Sequence, residues 1–349
     1  MRQAQPDAAA SAAAVSAWWS TRHAAERQDL IESCPELVGN RDGIPAADRD
    51  RANRRRLAGS RAALHRELER LGTEPRPTGV LPGREPPGHR RWRLRREAVL
   101  GKLKGLEDIE GRLTHSRAPH FAPTYLLGFD TEGIGHAIVA VNDPDTAHNV
   151  VTFVPGSTAR LAGMTGDMDK AYEIEAAARL AAPDRTTSAI AWSGYDAPQS
   201  RIAAIRLAAA HGAKDALLSF VTALRLTHRG APAHSTVLGH SYGSTVVGLT
   251  LRDRGLPVDS VLLLGSPGAG VRHARQLRIE PSRVHVGRGS HDWIRFVAGL
   301  RHGRDPMRPA FGARRIPTGD TRHGRYWAPG TVSWTLIGQV AAGALPAGG

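Results

Sequence analysis

The period of the apolar positions changes near residue 120. Before that point, apolar residues recur at the three- and four-residue spacing of amphipathic helices. After it, short runs rich in β-branched residues alternate with helical stretches, a pattern typical of strands connected by helices. We therefore expect an all-helical N-terminal region, residues 1–115, followed by an α/β domain, residues 116–349.

The N-terminal pattern predicts three helices, and residues 72–90, which separate the last two, are dense in proline and glycine. Such a composition indicates a linker or an exposed loop. The three helices are expected at about residues 8–33, 48–71 and 92–113.

The second region predicts a mostly parallel sheet with helices on both faces, because two early strands of antiparallel type precede alternating strands and helices. The strands are expected at residues 124–129, 136–142, 149–154, 188–192, 234–238, 259–264, 283–286 and 313–317. The helices are expected at about residues 168–182, 199–211, 213–227, 244–252 and 331–344.

One G-x-S-x-G pattern, residues 239–243, lies between a predicted strand and a predicted helix. This context indicates a nucleophile elbow, in which Ser241 occupies a strained turn. Gly239 and Gly243 would let the strand and the helix pass closely. A chance match of three fixed positions is the alternative, and the strand and helix on either side argue against it.

A serine hydroxyl needs a base to remove its proton, and the base needs an acid to orient it. In the α/β-hydrolase fold these follow in the order Ser, acid, His. Residues 265–279 contain no Asp or Glu, so the acid is expected after the next strand, at Asp292. Asp292 could instead cap a helix, and Asp305 and Asp320 are weaker alternatives for the acid.

The expected base is His323, which lies between the last predicted strand and the last predicted helix. His302 and His291 are less suitable, because both lie too near Asp292 in chain order. For the oxyanion, one backbone N–H is expected from Tyr242. The other is expected from Ser157 or Thr158, in the loop that Gly156 lets turn inward.

Three further residues are candidates for contact with substrate. Tyr195 and Asp196 follow a strand at the same edge of the sheet, where they shape the pocket or cap the next helix. His240 lies inside the elbow and is expected to pack or orient rather than to act as the base. Only 18 residues separate Leu264 from Arg283, too few for a lid domain.

Any cover over the site is therefore expected from the N-terminal helices or from the loop 299–320. Both are rich in arginine, which favours an anionic or polar substrate over a plain fat. The chain carries a net charge of +14, with arginine far in excess of lysine, and this charge is spread along the sequence. We expect no nucleic-acid partner, because no binding motif accompanies the charge.

Cys34 is the only cysteine, so no intrachain disulfide can form. The hydropathy pattern predicts no signal peptide and no membrane span, so we expect a cytoplasmic location. Because the chain has no metal-ligand spacing, phosphate loop or dinucleotide fingerprint, we expect chemistry that needs no cofactor and no metal.

Several motifs also resemble an uncharacterised actinobacterial α/β-hydrolase family that joins an N-terminal helical region to a Ser-Asp-His hydrolase domain. The resemblance implies the fold and the catalytic positions Ser241, Asp292 and His323, and it implies little about the substrate. In two places the sequence departs from the family, at residues 72–90 and at Trp293, where a proline is expected. The motifs are Trp18-Trp19, Leu30-Ile31, Pro35–Gly39, Asp42–Pro45, Arg49–Arg54, Val154–Gly156, Trp192–Pro198, Gly239–Ser244, Gly265–Gly268 and His323–Trp327.

These observations together predict a serine hydrolase that acts on a small-molecule acyl substrate, either a carboxylic ester or a thioester or amide. An acyltransferase or cyclase of secondary metabolism with the same triad is one alternative. A non-catalytic protein that binds a partner on a hydrolase scaffold is another.

Overall fold

The computed structural model describes residues 6–7, 9–74, 86–115 and 122–345. The centre of the predicted linker, residues 75–85, and the predicted start of the second domain at residue 116 lie outside the described residues.

An eight-stranded sheet forms the centre of the molecule, in the order β1-β2-β4-β3-β5-β6-β7-β8. The prediction of a mostly parallel sheet with two early antiparallel strands is confirmed, since β2 runs antiparallel to both β1 and β4 and the other neighbours are parallel. The strands are β1 (Thr124–Asp130), β2 (His136–Val141), β3 (Asn149–Val154), β4 (Thr187–Ser193), β5 (His234–His240), β6 (Ser260–Leu264), β7 (Val284–Gly287) and β8 (Arg314–Arg315).

Helices cover both faces of this sheet. Every residue of β3, β4, β6 and β7 is buried, which is why their sequences are largely apolar. In β5, Val237 packs on the side of α6 and α7, and the next residue, Leu238, packs on the side of α5 and α8. The helices are α1 (Ala12–Ser20), α2 (Ala24–Ser33), α3 (Ala46–Thr73), α4 (Pro87–His115), α5 (Met164–Ala181), α6 (Ala208–Thr227), α7 (Tyr242–Asp253) and α8 (Val332–Ala341).

Two predicted helices differ from those observed. The single helix expected at residues 8–33 is two helices, because the Ser11 side chain caps α1 and a capping box between His23 and Glu26 starts α2. Of the helix expected at 199–211, residues 199–207 form a loop with one 3₁₀ turn, Ala203–Ile205, and the remainder belongs to α6, which begins at Ala208.

The N-terminal helices α3 and α4 share a hydrophobic core with the sheet. Their polar side chains also cover the free edge of β1. Asp50 accepts a hydrogen bond from the Leu126 N–H at 2.8 Å, and Asn53 donates to the Leu126 carbonyl at 2.9 Å. Arg54 donates to the Thr124 carbonyl at 2.9 Å. Since these bonds satisfy edge groups that would otherwise pair with another chain, α3 also protects the sheet.

Candidate active site

Ser241 occupies the turn between β5 and α7, with φ 53° and ψ −127°. This left-handed conformation is rare for a residue with a side chain. The two elbow glycines are required by close packing. A Cβ on Gly243 would lie 2.1 Å from the Val154 carbonyl oxygen, and one on Gly239 would lie 2.7 Å from the Ser244 Cα. The elbow therefore lies directly against the end of β3.

Three polar side chains from separate loops lie in one line at this edge of the sheet. Ser241 Oγ is 2.9 Å from His323 Nε2. His323 Nδ1 is 2.9 Å from Asp292 Oδ1 and 3.0 Å from Oδ2. The structure thus brings together the serine, the base and the acid that the sequence suggested, in the geometry of a general-base relay.

The Asp292 carboxylate is fully buried and accepts several hydrogen bonds. In addition to His323, it accepts from the Ile294 N–H at 2.8 Å and from the Tyr326 hydroxyl. Burial alone would raise its pKa, but the bonds from His323, Tyr326 and Ile294 together hold the pKa below its ordinary value. Capping of a short helix and contact with the base were alternatives in the sequence, and in the structure Asp292 makes both interactions.

Tyr326 is a member of the site that sequence reasoning missed. Its hydroxyl donates to Asp292 and accepts from the Gly289 N–H at 3.2 Å, so it links the acid loop to the histidine loop. Burial and the adjacent carboxylate raise the pKa of Tyr326. The available signal was only its position three residues after His323, within the motif His323–Trp327.

Gly265, at the end of β6, provides the space in which the acid and the base meet. Its φ is +53°, and a Cβ there would lie 2.8 Å from Asp292 Oδ2 and 3.1 Å from His323 Nδ1. A larger residue would push the carboxylate and the imidazole apart.

The oxyanion loop, residues 155–158, lies against Ser241, since a Cβ on Gly156 would be 2.8 Å from the Ser241 Cβ. The Thr158 N–H donates to the Pro198 carbonyl at 2.8 Å, so the expectation that Thr158 could supply an oxyanion N–H is wrong. Ser157 lines the cavity at Ser241. The Tyr242 N–H is at the first position of α7, where no carbonyl of the helix can accept from it.

Tyr195, Asp196 and His240 were expected to contact substrate, and the structure places their side chains elsewhere. The Tyr195 hydroxyl donates to the Pro155 carbonyl at 2.8 Å, beneath the oxyanion loop. Asp196 lies 3.2 Å from His136, at the surface. None of the three lines the described cavity, because Tyr195 and His240 are buried by packing and Asp196 faces outward.

The buried His240 instead supports the catalytic loop. Its Nε2 donates to the His323 carbonyl at 2.7 Å. Burial, followed by the nearby His323, lowers the pKa of His240 to about 3, so the ring is neutral at physiological pH. His240 is therefore a positioning residue.

The remaining alternatives make other contacts. Asp305 pairs with Arg288 at 2.9 Å, and Asp320 accepts from the Ser290 hydroxyl at 2.5 Å. His302 Nδ1 lies 3.0 Å from the Thr245 hydroxyl.

The cavity in front of Ser241, which we call the acyl cavity, has a volume of about 500 Å³ and a largely apolar wall. Its cover comes from residues 201–205 and 293–302. The sequence left two alternatives for the cover. Among the described residues, no N-terminal helix lines the cavity, and the loop 299–320 contributes only its first part. The cavity is lined by Ser157, Arg201, Ala204, Ile205, Ser241, Tyr242, Pro267, Trp293, Ile294, Val297, Leu300, Arg301 and His302.

Comparison with known proteins finds several similar chains. Residues 130–302 match a family model described as alpha/beta hydrolase. The chain has the α/β-hydrolase fold. An uncharacterized protein of Mycobacterium tuberculosis is 31% identical over 97% of this chain, and the chain spans 56% of that relative. The chain thus spans about half the length of the curated relatives it matches.

A second uncharacterized protein, from Mycobacterium bovis, is 35% identical over 45% of this α/β-hydrolase and 62% of its own length. Among solved structures, S-formylglutathione hydrolase from Staphylococcus aureus aligns with 64% of this chain and 99% of its own, at 11% identity and a TM-score of 0.39. Identity and TM-score this low do not bear on activity.

Two further properties of this α/β-hydrolase concern its described residues only. No group of three or more His, Cys, Asp or Glu side chains among them is arranged to hold a metal ion. No helix in this part of the chain is both long and apolar enough to cross a membrane.

Proposed function

We propose that this protein is a serine hydrolase that cleaves a carboxylic ester, or a related thioester or amide, through an acyl-enzyme. The observation that carries this proposal is the hydrogen-bonded line from Ser241 through His323 to a buried, ionised Asp292. The apolar wall of the acyl cavity supports an acyl group as the part of the substrate that lies at Ser241.

In the first half of the reaction, Ser241 Oγ forms a bond to the carbonyl carbon while its proton passes to His323 Nε2. The N–H groups of Tyr242 and Ser157 stabilise the negative charge on the carbonyl oxygen. The bond to the leaving group then breaks, and His323 gives the proton to the leaving atom. Asp292 remains ionised throughout and stabilises the imidazolium.

In the second half, His323 removes a proton from water, and the hydroxide attacks the acyl carbon. The bond to Ser241 Oγ breaks and Oγ regains the proton from His323, so the products are a carboxylic acid and free enzyme. Every proton transfer in both halves passes through the same imidazole.

A fluorophosphonate probe tests this proposal, because it reacts covalently with an activated serine. We expect labelling of the wild type and none of Ser241→Ala. The matched control is Ser219→Ala, which removes a hydroxyl that donates to Asp42 away from the acyl cavity and should be labelled like the wild type. Equal labelling of Ser241→Ala, or no labelling of wild type whose circular dichroism shows a folded chain, contradicts the proposal.

A further inference from the structure

A second cavity of about 660 Å³ lies beside the acyl cavity, and we call it the arginine cavity. The two share Leu300 and Arg301 as wall residues. Four arginines line the second cavity, which are Arg272, Arg301, Arg304 and Arg308. The two cavities therefore adjoin at these two residues, and the second cavity is strongly basic.

The arginines of this cavity lack anionic partners. Among the described residues, no carboxylate lies within ion-pair distance of Arg272, Arg301 or Arg308. Arg304 donates to the Ala310 carbonyl at 2.8 Å, which does not neutralise it. The one acidic residue in the wall, Asp305, is already paired with Arg288 at 2.9 Å. The cavity thus concentrates uncompensated positive charge.

The basic composition of the chain does not by itself produce this arrangement. In the N-terminal helices, arginines lie beside carboxylates, as in the Arg54–Asp50 pair at 2.7 Å and the Arg93–Glu97 pair at 2.8 Å. Guanidinium groups that line one cavity without counter-charge repel one another. Guanidinium groups match the oxygens of phosphate with paired hydrogen bonds, so a phosphate-bearing ligand would remove this repulsion.

Large apolar side chains line the acyl cavity as far as Leu300. Trp293, Val297 and Leu300 are large apolar side chains that are 41%, 41% and 69% exposed. Apolar surface at Ser241 followed by basic surface beyond Leu300 fits a molecule with an acyl chain at one end and several negative charges at the other.

We propose that the arginine cavity binds the phosphate groups of the leaving part of the substrate, so that the substrate is an acyl ester or thioester of a phosphorylated carrier. This proposal rests on the proposed function, since it places the acyl end of the substrate at Ser241 and the phosphate-bearing end in the arginine cavity. Two sources present this same phosphate chemistry to the arginines, a soluble phosphorylated thiol and the phosphate-bearing part of a lipid, and the experiments below distinguish them.

A binding experiment tests the cavity without catalysis. Coenzyme A, a phosphorylated thiol, is titrated calorimetrically into Ser241→Ala protein that also carries Arg272→Gln and Arg308→Gln. We expect a Kd at least about tenfold higher than in Ser241→Ala alone, as hydrogen bonds to charged groups are lost. The matched control replaces Arg275 and Arg278, two exposed arginines that do not line the cavity, and should keep the Kd unchanged.

An activity ratio tests the link to Ser241. The value of kcat/KM for octanoyl-coenzyme A is divided by that for neutral p-nitrophenyl octanoate. This ratio should fall about tenfold in Arg272→Gln/Arg308→Gln, and it should keep its wild-type value in the Arg275→Gln/Arg278→Gln control. Added salt should lower the wild-type ratio, since it screens the arginines.

Vesicles distinguish the two sources of phosphate. Fatty-acid release from phosphatidylglycerol vesicles that depends on Arg272 and Arg308, together with weak coenzyme A binding, assigns a lipid carrier. Strong coenzyme A binding with no such dependence on vesicles assigns a soluble carrier.

The proposal is overturned if the cavity variant and its control show the same coenzyme A binding and the same release from vesicles, even where fluorophosphonate labels Ser241. If coenzyme A binding separates them but Ser241 is not labelled, the cavity stands and the proposed function fails.

Discussion

Asp292 at the active site and Asp145 beneath α3 are both buried aspartates, yet their pKa values shift in opposite directions. Asp292 is 0% exposed and Asp145 is 1% exposed. Burial raises the pKa of Asp145, and the bonds that it accepts from the Ala46 N–H at 2.6 Å and the Thr227 hydroxyl at 2.5 Å do not reverse the shift. The pKa of Asp292 is lowered instead.

The difference lies in the donors. Asp145 receives bonds from a helix N-terminus and a neutral hydroxyl, whereas Asp292 faces the histidine that takes up a proton during the proposed reaction. Tyr326 and the Ile294 N–H complete the set around Asp292. Hydrogen-bond partners, together with burial, thus decide the direction in which the pKa of a buried carboxylate shifts.

The largest expected effect comes from removing the charge of Asp292. Asp292→Asn keeps the shape of the side chain but favours the wrong tautomer of His323, so kcat on a p-nitrophenyl ester should fall by about 10⁴-fold. The measurement is steady-state hydrolysis by folded protein.

Asp145→Asn is the matched control, because it changes an equally buried carboxylate away from the acyl cavity. Its kcat should remain at the wild-type value, while its free energy of unfolding should fall by about 1–2 kcal/mol as the cap on Ala46 weakens. A similar loss of kcat in both variants would show that burial alone explains the effect at Asp292.

The next largest effect on kcat is expected at Gly265, which leaves the space in which Asp292 and His323 meet. Gly265→Ala adds a Cβ 2.8 Å from Asp292 Oδ2 at a backbone φ of +53°, so kcat should fall by about 100-fold through misplacement of the base. Gly59→Ala is the control, since a Cβ there meets nothing within 4 Å in the middle of α3. It should raise the free energy of unfolding by about 0.5–1 kcal/mol without changing kcat.

The smallest effect is in the pH dependence of stability. Because the pKa of Asp292 is depressed, its contribution is present above the ordinary value of 3.8 and is lost as the pH falls through the folded pKa. Tyr326→Phe removes one donor that lowers this pKa, so the folded pKa should rise toward 3.8, and the loss of stability in acid should be smaller and should end at a higher pH. Urea unfolding between about pH 2 and 7 measures the change.

Asp145 should have the opposite effect on the pH dependence of stability. Its pKa is raised, so its cost to stability is absent below 3.8 and develops as the pH rises through the folded pKa. In Asp145→Asn this decline with rising pH should disappear. Identical pH profiles for Asp145→Asn and Tyr326→Phe would contradict the assigned shifts.

Much of the fold could be predicted from the sequence, because strands buried on both faces are apolar runs and the amphipathic helices repeat at helical spacing. The loop around 199–207 could not be predicted. There the Tyr242 hydroxyl donates to the Arg206 carbonyl and accepts from the Ala210 N–H, so a distant side chain fixes where α6 begins. Helix propensity depends on the local sequence alone, so it cannot include the effect of the Tyr242 side chain on this segment.

For the candidate site, the sequence by itself predicted the order Ser241, Asp292, His323 and left Asp305 and Asp320 as weaker alternatives for the acid. A serine between strand and helix and an acid-free stretch after β6 are local properties, which is why they could be read along the chain. Only the tertiary structure decided the partners. The Thr158 N–H is taken by Pro198, and Tyr326 donates to Asp292. These bonds depend on the positions of carbonyl and hydroxyl groups in loops that are distant in sequence. Tertiary packing sets those positions, and they cannot be predicted from the spacing of residues along the chain.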